Sequence, residues 1–232
     1  MRQASTLRRA VLAGGAVLVL TLSTVGYSAI TYLKPTAAQS APIEAVTQTA
    51  FASTDSVYTI QAQESAATFT VDEVLRGAPF TVVGTTDQVS GQIYFDPNDP
   101  STAQLGTIVV NARTLQTDDS SRNRALNNLI LSTDQYEYIT FTPGQLSGLP
   151  TTIEAGQPFT FQATGDLSIK GVIRPATFDV TVVPTADGRL EGTAATTIQY
   201  ADWGVAIPSV PFVASVDNEV ALQLEFAAMT TA

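Results

Sequence analysis

Asp96, Asn98 and Asp99 fall within four residues of one another and carry the oxygen atoms that a calcium ion takes as ligands. Two prolines, Pro97 and Pro100, sit among them, and no glycine and terminal glutamate complete a loop of the EF-hand kind. A turn between strands is the favoured reading. Asp72 and Glu73 are adjacent, so on a strand their carboxylates point to opposite faces and cannot form an acid–base pair. Asp118 and Asp119 precede a segment of helical spacing and suit a helix cap better than catalysis, because no nucleophile or second base lies near them in sequence.

The sequence contains neither histidine nor cysteine. Their absence excludes His/Cys metal sites, thiol and Ser-His nucleophilic catalysis, and disulfide staples. An enzyme would need two carboxylates converging in a pocket. The basic residues Arg113, Arg122, Arg124, Lys170 and Arg174 are scarce in an acidic chain. Either they pair with surface carboxylates, or those that converge at a cavity mouth hold a phosphate or polar head group. Trp203, the single tryptophan, stands in Asp202-Trp203-Gly204. With Tyr200 and Phe212 it could line an apolar cavity or simply pack a core.

The elements that must position these groups are mostly strands. Val220, Leu222, Leu224 and Phe226 alternate with Ala221, Gln223, Glu225 and Ala227, which marks a strand with one buried face. Similar runs span 56–60, 67–74, 80–86, 89–95, 107–111, 138–142, 159–169, 176–183 and 190–200. Eight to ten strands are expected. Asp96-Pro97-Asn98-Asp99-Pro100 interrupts any ladder, and Ala186-Asp187-Gly188 offers the left-handed geometry of a tight hairpin. Hairpin connections favour an antiparallel sheet. One segment, Asp118 to Leu131, predicts a short helix with Leu126, Leu129 and Ile130 on its apolar side and Asp118, Asp119 or Ser120 as its cap.

Ahead of this domain, 24 residues from Ala10 to Leu33 carry no charge, between Arg8-Arg9 and Lys34-Pro35. At 1.5 Å per residue such a helix crosses about 30 Å of hydrocarbon, with residues 1–9 held on the cytoplasmic side. A cleaved signal segment is the alternative, with small residues at Thr36-Ala37-Ala38 or Gln39-Ser40-Ala41 as the cleavage site. Both readings place the domain outside the cytoplasm. Residues 34–55 read as a flexible linker and 56–229 as one folded domain. Residues 34–232 hold 8 basic and 21 acidic side chains, a net charge of −13, so nucleic-acid binding is not expected.

The order of motifs resembles the YceI-like family of lipid-binding β-barrel domains. Tyr58 to Phe69 is similar to its opening strands, and Gly77 to Asp99, with Phe80, Gly84, Gly91, Phe95 and Asp96-Pro97, to the strand pair that follows. Asn111 to Leu126 resembles its strand and helix through Thr114-Leu115-Gln116-Thr117, Arg122 and Leu126, and Tyr138-Ile139-Thr140-Phe141 its next strand. Gly165-Asp166-Leu167-Ser168-Ile169-Lys170-Gly171-Val172 looks like its most specific hairpin, and Asp202-Trp203-Gly204 like the site before its last strand.

The resemblance implies an eight-stranded, antiparallel, lipocalin-like barrel with one short helix, preceded here by the N-terminal transmembrane segment. It implies an apolar interior that takes an isoprenoid or other long-chain lipid, and no catalysis, metal or other cofactor. Family members often carry histidines near the first strand pair, and this chain has none. With strands so arranged, the residues expected to face inward are Phe69, Val71, Ile93, Phe95, Val110, Phe141, Phe161, Leu167, Ile169, Phe178, Trp203, Leu222 and Leu224. Arg122 and Arg174 are the head-group candidates. Eight strands enclose a space that side chains fill or that holds one small ligand. A carrier of a hydrophobic small molecule beside the membrane and a filled, structural or interaction domain on a stalk therefore remain alternatives.

Overall fold

The structure is a computed structural model and describes residues 57–230. The expected membrane segment, residues 10–33, and the linker lie outside the described residues. No helix among the described residues is long and apolar enough to cross a membrane.

The described chain is all-β apart from one short helix and single turns. Its strands are β1 (Val57–Ile60), β2 (Ala66–Leu75), β3 (Ala78–Thr86), β4 (Val89–Ser90), β5 (Gln92–Tyr94), β6 (Gln104–Leu105) and β7 (Ile108–Asn111). The helical segment follows, α1 (Ser120–Ala125) continuing into a π turn at Leu126–Ile130. Then come β8 (Tyr138–Ser147), β9 (Phe159–Ile169), β10 (Val172–Pro184), β11 (Leu190–Gln199), β12 (Val213–Val216) and β13 (Glu219–Thr230). All pairings are antiparallel, as short hairpin connections require.

A single curled sheet, a half-barrel, runs in the order β4-β7-β8-β9-β10-β11-β13-β1-β5-β6, with β2, β3 and β12 joined through β13. The strip Val89–Tyr94 serves both ends of this path. Before Gly91 it pairs with β7, and after Gly91 it pairs with β1. β13 binds β11 along one side and β1 and β2 in succession along the other.

Two turns show why the chain reverses where it does. Lys170 (φ 52°) and Gly171 (φ 77°) both lie in the left-handed region, the geometry of a two-residue hairpin loop matched to strand twist. Asp96 accepts a bond from the Asn98 amide at 2.8 Å, so its carboxylate builds the turn as an Asx motif. The expected hairpin at Ala186-Asp187-Gly188 is present, with Gly188 at φ 81°.

The helix starts as its sequence dictates. Asp119 Oδ1 accepts from the amides of Ser121 and Arg122, both at 2.8 Å, satisfying two otherwise orphan donors. Those hydrogen bonds, led by the one from the Arg122 amide, hold the Asp119 carboxyl below its ordinary value of 3.8. A depressed folded-state pKa means that the charged cap contributes stability above the unfolded value and loses it as pH falls through the folded one. Acidification below 3.8 is therefore expected to loosen α1, while Asp119→Asn, which keeps an acceptor oxygen but no charge, should remove that acid response. Thermal melts of the two proteins across acidic pH check this, and equal acid sensitivity would refute it.

One helical expectation is corrected. Leu129 is 61% exposed, whereas Leu126 and Ile130 turn toward the interior. The π turn rotates less per residue than an α-helix, so the apolar stripe read at α-helical spacing slips off Leu129.

Candidate functional site

Alternation along the strands aims one row from each at a common interior. On β2 that row is Ala67, Phe69, Val71, Glu73 and Leu75, and on β13 it is Val220, Leu222, Leu224 and Phe226. β9 and β10 contribute Phe159, Phe161, Leu167, Ile169, Phe178, Val180 and Val182. These rows do not meet in the middle. They enclose a cavity of about 680 Å³, within the range of small-molecule sites.

Every apolar candidate named from the sequence lines this cavity: Phe69, Val71, Ile93, Phe95, Val110, Phe141, Phe161, Leu167, Ile169, Phe178, Trp203, Leu222 and Leu224. The rings pack on one another, Phe141 edge-to-face on Phe178 with centroids 4.8 Å apart and Phe95 stacked on Phe159 at 5.9 Å. Such pairs hold ring orientation and keep the walls stiff. Phe69 lies directly over its cross-strand partner Gly84. A Cβ at position 84 would stand 2.1 Å from the Phe69 ring, so the glycine sets how flat that wall is.

Trp203 is both wall and strut. It is 4% exposed, and its Nε1 donates to the Leu167 carbonyl at 2.9 Å, tying the turn Tyr200–Trp203 to β9. Trp203→Phe removes the indole N–H and leaves a small void where the second ring stood, at a cost of about 2–3 kcal/mol. Chemical denaturation measures it, and an unchanged midpoint would show that the hydrogen bond adds nothing.

Polar groups gather at one end. The inward position of Glu73 on β2 places its side chain, 8% exposed, 3.2 Å from Arg122 Nη2 on α1. Arg122 also pairs with Asp118 and sits 5.4 Å from the Phe80 ring centroid, in cation–π range. Asp72, one residue from Glu73, faces outward and accepts from Thr81 Oγ1 at 2.6 Å. The two carboxylates thus diverge, as strand alternation demands.

Of the two head-group candidates, only Arg122 is a lining residue. Arg174 is exposed and outside the cavity wall; its Nε donates to the Asp202 carbonyl at 3.2 Å. Arg113 is likewise engaged elsewhere, with Glu137 and Asp134, and Lys170 donates to the Ile130 carbonyl at 2.8 Å. Glu73, Ser121 and Ala125 on α1, and Ile207, Pro208 and Val210 in the loop after Trp203 also line the cavity without having been named as lining from the sequence, whereas Arg122 and Phe212 were candidates. The charge-free composition of that loop was the clue available.

At the far end of the sheet, Tyr58 is buried against Phe95. Burial, with Asp96 nearby adding to it, pushes its phenol above the ordinary value of 10.0. No cluster of three metal-ligating side chains occurs among the described residues.

A family model described as the YceI-like domain matches residues 58–228. Among solved structures, Burkholderia cenocepacia BcnA is similar, with a TM-score of 0.59 and 17% identity over 73% of this chain and 99% of that one. A polyisoprenoid binding domain from Saccharophagus degradans, described as implicated in plant cell wall breakdown, gives a TM-score of 0.57 and 14% identity over 75% of this chain and 98% of that one. A Campylobacter jejuni YceI protein gives 0.53 and 18% over 64% and 85%. At these identities the likeness is one of fold. No curated protein matches the sequence.

Proposed function

We propose, from the premise that this chain belongs to the YceI-like family, that it is a non-enzymic binding or carrier protein for an isoprenoid or other long-chain lipid held inside the sheet. The observation that carries this reading is the cavity of about 680 Å³ walled by aliphatic and aromatic side chains. Apolar burial stabilises a ligand by about 25 cal/mol per Å², before the cost of immobilising it. A flexible hydrocarbon chain matches such walls because it asks for no hydrogen bonds. A barrel filled by its own side chains, the structural alternative, is disfavoured by the same void.

The path of the sheet supports an eight-stranded lipocalin-like barrel. β1 and β2 count as one run, β3 to β5 as a second, β6 with β7 as a third, and β8, β9, β10, β11 and β13 complete the ring through the strip Val89–Tyr94. For the head group, Arg122 is the candidate, but Glu73 and Asp118 already occupy it. A phosphate would have to displace a carboxylate there. An uncharged polar head, able to hydrogen-bond with the pair in place, fits with less rearrangement. The site on the extracytoplasmic side of a membrane, with the chain anchored by residues 10–33 or released by cleavage, belongs to the same reading, since the uncharged segment would deliver the domain there.

Solvent extraction of the purified protein followed by mass spectrometry tests the proposal. A long-chain lipid near one per protein is the expected result, and uptake of a polyprenol by emptied protein should follow. A protein that comes empty and takes up none would overturn it.

A further inference from the structure

The chain from Val205 to Val216 contains no charged residue and two prolines, Pro208 and Pro211. It connects the turn Tyr200–Trp203 to β12, and β12 pairs with the end of β2. Ile207, Pro208, Val210 and Phe212 from this loop line the cavity, yet Phe212 is 56% exposed to solvent. Apolar side chains of this loop therefore run from the interior to the outside, beside the Glu73–Arg122 pair, since Glu73 is the cross-strand partner of Val216. Beside it lies the tip of the β2–β3 hairpin, where the Arg76 amide donates to the Phe212 carbonyl at 2.7 Å. Arg76 is exposed, and among the described residues it forms no ion pair.

We propose that this rim docks on a lipid bilayer, with Phe212 and its neighbouring prolines entering the boundary between head groups and acyl chains while Arg76 meets the phosphate layer. The proposal goes beyond lipid binding, since it assigns a surface and a partner rather than a cavity and a ligand. Three features point to a bilayer rather than a protein. The loop can leave water without burying a charge, and its prolines carry no N–H to leave unsatisfied in hydrocarbon. An exposed ring flanked by an unpaired arginine is the pattern of an interfacial element, the cation staying at the head-group level while its stem lies on apolar surface. Apolar residues of the rim also belong to the cavity wall, which gives a water-insoluble ligand an apolar edge to follow from membrane to interior.

Geometry permits the contact even for a chain held by its N-terminal segment. β1 enters at the end of the sheet opposite the rim, because β13 meets β2 near its start and β1 near its finish. The 23 residues from Lys34 to Ser56 reach up to about 75 Å when extended. Whole-domain charge opposes an anionic surface, with 7 basic against 19 acidic side chains from Val57 to Thr230. The contact should accordingly be apolar in the main and persist on zwitterionic lipid.

Because the sequence has no cysteine, a single one can be labelled cleanly. Full-length Phe212→Cys, carrying an environment-sensitive fluorophore and reconstituted in phosphatidylcholine vesicles, should show a blue-shifted emission quenched by nitroxide-labelled lipid. Ala186→Cys, on the exposed hairpin at the opposite end, should stay water-like. In a second arm, Pro211→Asp, at an exposed rim position outside the cavity wall, should slow polyprenol uptake from vesicles by about tenfold and leave uptake from detergent micelles unchanged. A label at 212 that remains water-like, or a shift that appears without vesicles and grows with protein concentration as self-association would, overturns the proposal. If no variant takes up polyprenol from either source, the carrier reading fails and the label alone decides the docking.

Discussion

Ala194→Phe is expected to abolish lipid uptake while the protein stays folded. Ala194 is on β11, in the lining row with Leu190 and Ile198, and it is only partly buried because it borders the void. Its cross-strand neighbours Val180 and Leu224 also face inward. A phenyl ring built there projects into space that a ligand would otherwise occupy. Overpacking of a full core costs about 1–3 kcal/mol, but here the ring enters an existing hollow, where filling returns about 24 cal/mol per Å³ of void removed. Stability should hold or rise by about 1 kcal/mol. The readouts are polyprenol titration and thermal melting on the same sample. Retained uptake would mean the ligand sits elsewhere; a collapsed melt would mean the hollow is not where the structure has it.

Such a variant can be designed because the strands were legible. In β13, strict alternation of Leu222 and Leu224 with Gln223 and Glu225 identifies both the element and its inner face. The same period carries Phe69, Val71 and the inward residues of β9 and β10. Nothing in these runs shows whether the rows meet or leave a gap, since that depends on distances between strands far apart in sequence. Short elements were lost for a related reason. β6 is two residues long, too brief for a period to register, and Val213-Ala214-Ser215-Val216 of β12 does not alternate, so each is recognisable only with its partner strand in place. β8 continues past Pro143 with a register shift between Pro143 and Gln145, a bulge that accommodates the missing amide proton.

Charged residues were the least legible. Arg174 stands out as a head-group candidate because basic residues are scarce in this acidic chain, but the Asp202 carbonyl, 28 residues away, captures it at the surface. Glu73 carries the opposite lesson. Alternation with Asp72 placed it on one face or the other, and only Phe69 and Val71, four and two residues before it, show that its face is the inner one. The meeting of Glu73 with Arg122, 49 residues apart, is a product of the curled sheet and has no local signature.

That pair is where the second large effect is expected. Arg122→Met removes the cation but keeps an unbranched apolar stem over Phe80, leaving Glu73 facing the cavity with no opposite charge. Exposed ion pairs are worth about 0–1 kcal/mol, whereas removing one partner of a fully buried pair costs about 3–5 kcal/mol. With Glu73 at 8% and Arg122 at 22% side-chain exposure, the loss should fall between, about 2–3 kcal/mol. Glu73→Gln alone should cost less, because the amide oxygen still accepts from Arg122 and Asp118 still neutralises it. The double variant should be more stable than the sum of the two losses implies, by about 1–2 kcal/mol, since the stranded carboxylate is then gone. Denaturant midpoints for the four proteins measure this coupling. Additive losses would mean that Arg122 supports α1 through Asp118 and Phe80 alone, leaving Glu73 solvated enough to need no cation.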